Sequence, residues 1–241
     1  MQAQLQLPYI TFFSLIFSIL LTPIIRIWGN KCNIVDKPNN RKIHKKPIVR
    51  VGGLSIAISF TLAIYFAYYL KLFDPTIFEV LKFPLIAILA MSLLGLIDDF
   101  FSISSFKRLF LQTLIALFAY NSNLGFRINI NLSDIFATNI PESFSSFFSL
   151  LITVFWIVGF TNALNWLDGL DGQLCGYTLI TSLALVPISI FLGDVSSLIL
   201  ILPLLGSCLG FLFFNYYPAK IFMGDGGSYL IGITLSIIGI R

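Results

Sequence analysis

Two adjacent carboxylates, Asp98 and Asp99, end the apolar run Phe83–Ile97. A charge near the bilayer centre costs roughly 2.5–3.5 kcal/mol on insertion scales, and carboxylates at a helix C-terminus oppose the helix dipole. One interpretation is a helix end that only reaches water. The other is a cation site, because Mg²⁺ binds a few carboxylates together with substrate phosphate oxygens. We therefore treat both residues as candidate catalytic residues.

A second group of polar residues recurs at every third position of the segment 162–172. On a helix that continues, these positions form one stripe, and two glycines then break the helix and free backbone groups. An amphipathic surface helix is the alternative interpretation, but the flanking segments are apolar throughout. The residues of the stripe are Asn162, Asn165, Asp168 and Asp171.

A third group lies before and at the start of the last apolar run, in the segment 215–228. A helix opened by Gly226 and Gly227 presents N–H groups at its positive end, which is a ready site for phosphate. Asp225 beside that site could hold a metal ion that bridges phosphates, and Phe222 could stack on a base. Lys220 is a candidate for substrate binding. A turn with Asp225 as a helix N-cap is the alternative, and it does not exclude a function.

The first connection between apolar runs is strongly basic. It either sets the membrane topology or binds anions, since Arg and Lys pair with phosphates. Gly52 and Gly53, which follow it, allow the backbone to approach a ligand or to pack tightly at a helix start. The single histidine, His44, is by itself more typical of a hydrogen-bonded loop residue than of a base or a metal ligand. The candidate substrate-binding residues here are Arg41, Lys42, His44 and Arg50.

The elements that must position these residues are apolar. Apolar residues make up 57% of the chain and charged residues 11%, and the mean hydropathy is +0.92. Soluble domains are about one quarter charged, so lipid must be the solvent here. Backbone groups in lipid are satisfied internally only in helices or closed barrels. We predict an all-α polytopic bundle of about eight transmembrane helices, forming one membrane domain over residues 1–241. The apolar runs are 7–28, 51–70, 83–97, 109–120, 147–163, 174–192, 198–214 and 228–240.

The charges between the runs predict that all four motifs share one side of the membrane. The even-numbered connections contain only Lys71, Lys82 and Arg127 as basic residues, whereas the odd-numbered ones contain the basic loop and the acidic motifs. Lys and Arg are retained on the cytoplasmic side, so we expect the N-terminus outside and the site at the cytoplasmic face of the inner or plasma membrane. The basic residues cluster in one loop, which does not indicate nucleic-acid binding.

Taken together, these segments resemble the polyprenyl-phosphate N-acetylhexosamine-1-phosphate transferases of glycosyltransferase family 4. They occur in the family's order and spread over about residues 35–232. The sequence is more similar to the branch that uses UDP-N-acetylglucosamine than to the peptidoglycan translocase branch. The segments that carry the resemblance are Val35–His44, Gly95–Asp99, Asn162–Gly172 and Pro218–Ser228.

The resemblance implies a UDP-N-acetylhexosamine donor, a polyprenyl phosphate acceptor such as undecaprenyl phosphate, Mg²⁺ or Mn²⁺ in its place, and release of UMP. Such a reaction is the first lipid-linked step of a cell-envelope polysaccharide, as in cell-wall or lipopolysaccharide biosynthesis. By position, Asp98 and Asp99 match the family's paired acids, and Asp225 matches its principal metal ligand. The other matches are Asn165 and Asp168 in the catalytic cleft, with Asn165 close to the metal, and Asp171 and Phe222 near the uridine.

One departure from the family is clear. Its members carry a histidine-rich motif in a further cytoplasmic loop, and the sequence ends at Arg241 without one. We therefore expect a C-terminally truncated version of the fold. Two alternatives stay open: a non-catalytic homologue that binds the lipid carrier or a partner, and an ion-coupled transporter, which would place acids in the middle of its spans. The oligomeric state is also open, with a homodimer as the candidate assembly.

Overall fold

The computed structural model describes residues 6–38, 46–120, 128, 131 and 141–241. Within these residues the chain forms eight helices and one two-stranded antiparallel sheet. Each of the eight apolar runs corresponds to one helix, which confirms the all-α prediction. The elements are α1 (Pro8–Lys31), β1 (Val35–Asp36), β2 (Ile48–Val49), α2 (Gly53–Tyr69), α3 (Pro75–Phe101), α4 (Ser105–Tyr120), α5 (Glu142–Leu167), α6 (Gln173–Phe191), α7 (Val195–Asn215) and α8 (Asp225–Gly239).

Five of the helices, α1, α3, α5, α6 and α7, are long and apolar enough to cross a membrane. The outer surfaces of the bundle display large apolar side chains, such as Phe155 and Phe191, which are 79% and 89% exposed. Such surfaces suit contact with lipid rather than with water. The chain is therefore a multi-pass membrane protein.

Helix α3 is much longer than its predicted apolar run, with 27 residues. The predicted run began only after Glu79 and Lys82, whose side chains form an ion pair at 2.6 Å on the exposed surface of the helix. The helix begins after Asp74, whose carboxylate accepts a hydrogen bond from the Thr76 backbone N–H at 2.8 Å. This N-cap sets the start of the helix at Pro75.

Helices α7 and α8 form the buried centre of the bundle. α1 packs closely against α7 through small residues, and a Cβ atom on Gly206 would collide with the Thr11 carbonyl group of α1. The Ser18 hydroxyl of α1 donates a hydrogen bond to the Ser207 carbonyl of α7 at 2.8 Å. On the other side of the centre, α8 packs between α3 and α5, which brings the acidic segments together.

The two glycines that follow the basic loop join that loop to the start of α8. The Gly52 N–H donates to the Phe222 carbonyl at 2.9 Å, and the Gly53 N–H donates to the Met223 carbonyl at 2.6 Å. A Cβ atom on Gly53 would collide with the backbone of Gly227. Of the two roles expected for this glycine pair, the structure shows close packing at a helix start.

Candidate functional site

The site is built around the first turn of α8. Asp225 is the first residue of this helix, and Gly224, with a φ angle of +75°, is the N-cap. The Asn165 side chain of α5 donates hydrogen bonds to the Asp225 carboxylate at 2.7 Å and to the Ser228 hydroxyl at 2.8 Å. The structure thus joins the two residues that the sequence predicted as metal ligands, although they are 60 positions apart.

Asp99 binds the N-terminus of α8. Its two carboxylate oxygens accept hydrogen bonds from the Asp225 and Gly226 N–H groups, both at 3.1 Å. The Arg50 guanidinium, one-third exposed, pairs with the same fully buried carboxylate at 2.9 Å. Of the N–H groups that we expected to be available for phosphate, that of Gly226 is therefore bonded to Asp99. A carboxylate is favourable there because it meets the positive end of a helix dipole.

Close backbone packing makes this contact with Asp99 feasible. A Cβ atom on Gly95 of α3 would collide with the Asp225 backbone, and one on Gly226 would lie 2.6 Å from the Leu96 side chain. A Cβ on Gly224 would lie 2.6 Å from an Asp99 carboxylate oxygen. Glycine at these positions lets α3 approach α8 closely enough for a short carboxylate side chain to reach the backbone of α8.

Asp98 closes the turn between α3 and α4. One of its oxygens accepts a hydrogen bond from the Ile103 N–H at 2.6 Å, and the other pairs with the Arg108 guanidinium at 2.8 Å. Asp98 also lies within hydrogen-bonding reach of the Asp225 carboxyl group. Sequence reasoning did not single out Arg108. The feature that could have identified Arg108 is its position, because it is a basic residue one turn into the helix that follows the paired acids.

Asp168 lies directly after α5 and is half-buried. Burial of its carboxyl group among protein atoms, with smaller contributions from the charges of Asp225, Asp99 and Asp171, raises the pKa of Asp168 to about 8. A carboxyl group with such a pKa exchanges a proton near neutral pH, which is the property expected of a general base or acid.

Asp171 has a different environment from the other acids. Its carboxylate accepts a hydrogen bond from the Ala219 N–H at 2.8 Å, and the next residue, Gly172, donates its N–H to the buried Asn215 side chain at 3.1 Å. These bonds tie the turn between α5 and α6 to the connection between α7 and α8. That connection carries Phe222, which is half-buried, and Lys220, which is exposed.

A groove of about 600 Å³ runs between α4 and α5. Its polar end is formed by Arg108, Gln112 and Asn162. The Asn162 side chain donates a hydrogen bond to the fully buried Gln112 side chain at 2.7 Å, so Asn162 bonds to α4, whereas Asn165 bonds to α8. Sequence reasoning missed Gln112, since nothing distinguished this polar residue within α4. The rest of the lining is mostly apolar and includes Leu109, Leu151, Val154, Phe155 and Val158.

The arrangement brings most of the predicted site residues together. Asp98, Asp99, Asp168 and Asp225 interact electrostatically around the first turn of α8, and Arg50 and Asn165 bond directly to this group. Asp171, Asn162, Lys220 and Phe222 lie in the adjoining turns and helices. The candidate residues Arg41, Lys42 and His44 lie outside the described residues.

The site offers only a few protein ligands for a metal ion. Among the described residues, no group of three or more His, Cys, Asp or Glu side chains is arranged to hold a metal ion. Mg²⁺ needs no such group, because it is usually held by one or two carboxylates, water and substrate phosphates. The joined oxygen-bearing side chains of Asp225 and Asn165, next to Asp98, are suitable ligands for such an ion.

The glycosyl transferase family 4 model matches residues 81–241 of the chain. The chain belongs to this family. The matched part contains most of α3 and all of the helices from α4 to α8, and so it includes Asp98, Asn165 and Asp225. The family resemblance predicted from the motifs is confirmed.

Two relatives within family 4 are similar over nearly the whole chain. The probable undecaprenyl-phosphate N-acetylglucosaminyl 1-phosphate transferase of Bacillus subtilis is 34% identical over 229 residues, which cover 94% of this chain and 60% of the relative. The undecaprenyl-phosphate alpha-N-acetylglucosaminyl 1-phosphate transferase of Thermotoga maritima is 34% identical over 221 residues, covering 92% and 61%. The chain thus spans about three fifths of the length of these relatives.

A relative from the peptidoglycan branch of the family matches less of the chain. The phospho-N-acetylmuramoyl-pentapeptide-transferase of Listeria monocytogenes is 34% identical over 166 residues, which cover 64% of this chain and 50% of the relative. The predicted closer similarity to the N-acetylglucosaminyl branch is confirmed by this difference in coverage.

Proposed function

We propose that this family 4 protein transfers N-acetylhexosamine-1-phosphate, with N-acetylglucosamine as the sugar, from a UDP-sugar to a polyprenyl phosphate and releases UMP. The names of the relatives support the acceptor class and the sugar. The observation that carries the proposal is Arg108, which pairs with Asp98 of the acidic site and also lines the apolar groove. A long apolar chain in the groove would bring its phosphate to the acidic site.

The reaction follows from placing two phosphates at this site. An oxygen of the acceptor phosphate attacks the β-phosphorus of the UDP-sugar, a new P–O bond forms, and the bond to the UMP oxygen breaks. Arg108 lies where it would neutralise and orient the acceptor phosphate at the groove. Asp225 and Asn165 would hold Mg²⁺, which supplies positive charge to the transferred phosphoryl group when bound.

Asp168 is the residue that we assign to the residual proton of the acceptor. Both oxygens of Asp98 and both oxygens of Asp99 already accept hydrogen bonds from N–H donors. These bonds direct both carboxylates toward protein donors. The raised pKa of Asp168 matches it better to proton transfer near neutral pH.

Lys and Arg are more frequent in the odd-numbered connections between the apolar runs than in the even-numbered ones. This excess supports a cytoplasmic site in the inner membrane, with the N-terminus outside. The acids of the site lie at helix ends and in turns. This placement favours a reaction at the membrane surface over ion transport through the bundle, which uses acids within spans.

The test is an incubation of membranes containing the protein with UDP-sugars and undecaprenyl phosphate, with and without Mg²⁺, followed by identification of the lipid product and UMP. We expect a sugar-diphosphate lipid from UDP-N-acetylglucosamine only when Mg²⁺ and the phosphorylated lipid are both present. Binding of the lipid without any UMP release would support a non-catalytic homologue, and ion flux in liposomes without UMP release would support a transporter.

A further inference from the structure

Tyr229 is a buried tyrosine one helical turn after Asp225 on α8. Its side chain is fully buried, and its hydroxyl has no hydrogen-bond partner among the residues that the structure describes. A buried hydroxyl without a partner is unfavourable and uncommon in folded proteins. Phenylalanine would fill the same space without this disadvantage. Packing alone therefore does not explain why this residue is tyrosine and not phenylalanine.

The surroundings of the hydroxyl indicate what it would bind. Residues four positions apart share one face of a helix, so Tyr229 points in the same direction as Asp225. The Tyr229 hydroxyl lies within electrostatic reach of Asp225, Arg108 and Asp98. Both Asp98 oxygens already accept hydrogen bonds from N–H donors. The hydroxyl and the neighbouring guanidinium are both hydrogen-bond donors, so together they could bind an anionic oxygen from outside this group of residues.

Arg108 connects this position to the groove between α4 and α5. Its guanidinium is one of the charges around Tyr229, and its side chain lines the groove and is 26% exposed. A guanidinium has five N–H donors, so Arg108 can pair with Asp98 and with a second anion together. An anion held by Arg108 at the groove would therefore belong to the same cluster of charges as the Tyr229 hydroxyl, which lies buried behind the groove lining.

We propose that the Tyr229 hydroxyl donates a hydrogen bond to the phosphate of the acceptor lipid, and that Tyr229 and Arg108 together form its phosphate subsite. This inference rests on the proposed function, because it takes the groove ligand to be a polyprenyl phosphate. A neutral phenol is a poor ligand for Mg²⁺, which prefers carboxylate, phosphate and water oxygens, so a metal role for this hydroxyl is disfavoured.

The test compares a phosphorylated prenol with the matching alcohol. Tyr229→Phe removes only the hydroxyl. Dissociation constants for heptaprenyl phosphate and for heptaprenol are measured on the full chain in detergent by tryptophan fluorescence, since the exposed Trp166 lines the groove. We expect Tyr229→Phe to weaken binding of heptaprenyl phosphate by about tenfold or more, the range for hydrogen bonds to charged groups, and to leave heptaprenol binding unchanged.

A matched control is available on the same helix. Thr234 is fully buried and donates its hydroxyl to the Leu230 carbonyl at 2.6 Å within α8. Thr234→Val should leave binding of both lipids unchanged. The melting temperature of Tyr229→Phe should equal or exceed that of the wild type, because an unpartnered hydroxyl is lost.

Each contrary result has a separate meaning. If the wild type prefers heptaprenyl phosphate to heptaprenol and Tyr229→Phe keeps the full preference, the Tyr229 subsite is wrong and the proposed function is untouched. If Tyr229→Phe weakens both lipids equally or lowers the melting temperature, the hydroxyl acts in packing and the inference is overturned. If the wild type does not distinguish the two lipids, the proposed acceptor itself is wrong.

Discussion

Replacing Asp99 by asparagine tests whether this residue holds the site together or acts in its chemistry. The Asp99 carboxylate accepts four hydrogen bonds: two from the Asp225 and Gly226 N–H groups, both at 3.1 Å, and two from the Arg50 guanidinium, at 2.9 and 3.3 Å. Asn has the same shape as Asp but no charge. Both oxygens of Asp99 accept hydrogen bonds, so the NH₂ group of Asn would face an N–H donor in either orientation and lose that bond. The change therefore breaks the link between α3, α8 and the basic loop.

The size of the effect follows from these contacts. Hydrogen bonds to a charged group are worth about 1.5–3 kcal/mol each, and the interaction with a helix dipole adds about 0.3–1 kcal/mol. Arg50 is one-third exposed and is partly solvated when its partner is lost, which reduces the penalty. We expect a loss of about 2–3 kcal/mol, which corresponds to a melting temperature lowered by about 4–12 °C for a domain of this size.

The measurement is thermal unfolding of the purified chain in detergent, together with Mg²⁺-dependent UMP release in membranes. Glu79→Gln is the matched control, because it removes an ion pair that has a shorter distance, 2.6 Å, but lies on the exposed surface of α3. Exposed pairs contribute about 0–1 kcal/mol, so this variant should unfold close to the wild-type temperature.

A double substitution separates the Arg50 pair from the helix contact. Arg50→Gln and Asp99→Asn should be less destabilising together than the sum of the single changes, because they share one interaction. If Asp99→Asn unfolds at the wild-type temperature and still abolishes UMP release, Asp99 acts in chemistry, and the structural role argued from these hydrogen bonds is refuted.

Three further predictions concern other parts of the site. Asp225→Asn should abolish Mg²⁺-dependent UMP release, and a wild-type rate in this variant contradicts the role of Asp225 as a metal ligand. Gly53→Ala should destabilise the protein by about 1–3 kcal/mol, because the added Cβ collides with the backbone of Gly227. Thermal unfolding measures this loss, and Gly176→Ala, where the added Cβ meets open space, is the control. The pKa of Asp168 is raised from its ordinary value to about 8, so the folded state binds more protons than the unfolded state between about pH 4 and 8, and stability falls as pH rises through this range. In metal-free buffer, Asp168→Asn should unfold with a weaker pH dependence than the wild type, and identical pH profiles would exclude the raised pKa.

The helices could be predicted from the sequence because lipid leaves the backbone few alternatives. The polar stripe was predicted less well. α5 ends at Leu167, so Asp168 and Asp171 leave the line of the helix, and Asp171 bonds to Ala219. Within the helix, Asn162 and Asn165 turn toward different neighbours, α4 and α8. Spacing in a sequence gives the angle between two side chains but not the helix that each one meets.

The paired acids show the same limit. The sequence indicated that Asp99 is unfavourable at the end of its own helix, and from this we inferred a cation. That cation was Mg²⁺. The structure places the Arg50 guanidinium and the N-terminus of α8 at this carboxylate, and no local pattern in the sequence points to either. Arg108 and Gln112 were missed for a related reason, because α4 is short and its polar residues gain meaning only through contact with Asp98 and Asn162.

The contact between Asp99 and α8 also sets an order of events during synthesis. The Asp225 N–H lies 126 residues further along the chain, so at about 5–20 residues per second it is made roughly 6–25 s after the carboxylate that it binds. Arg50 precedes Asp99 and is already available when α3 enters the bilayer. The guanidinium is thus made before this carboxylate, whereas the two N–H groups of α8 that bind it are made only when the ribosome reaches residues 225 and 226.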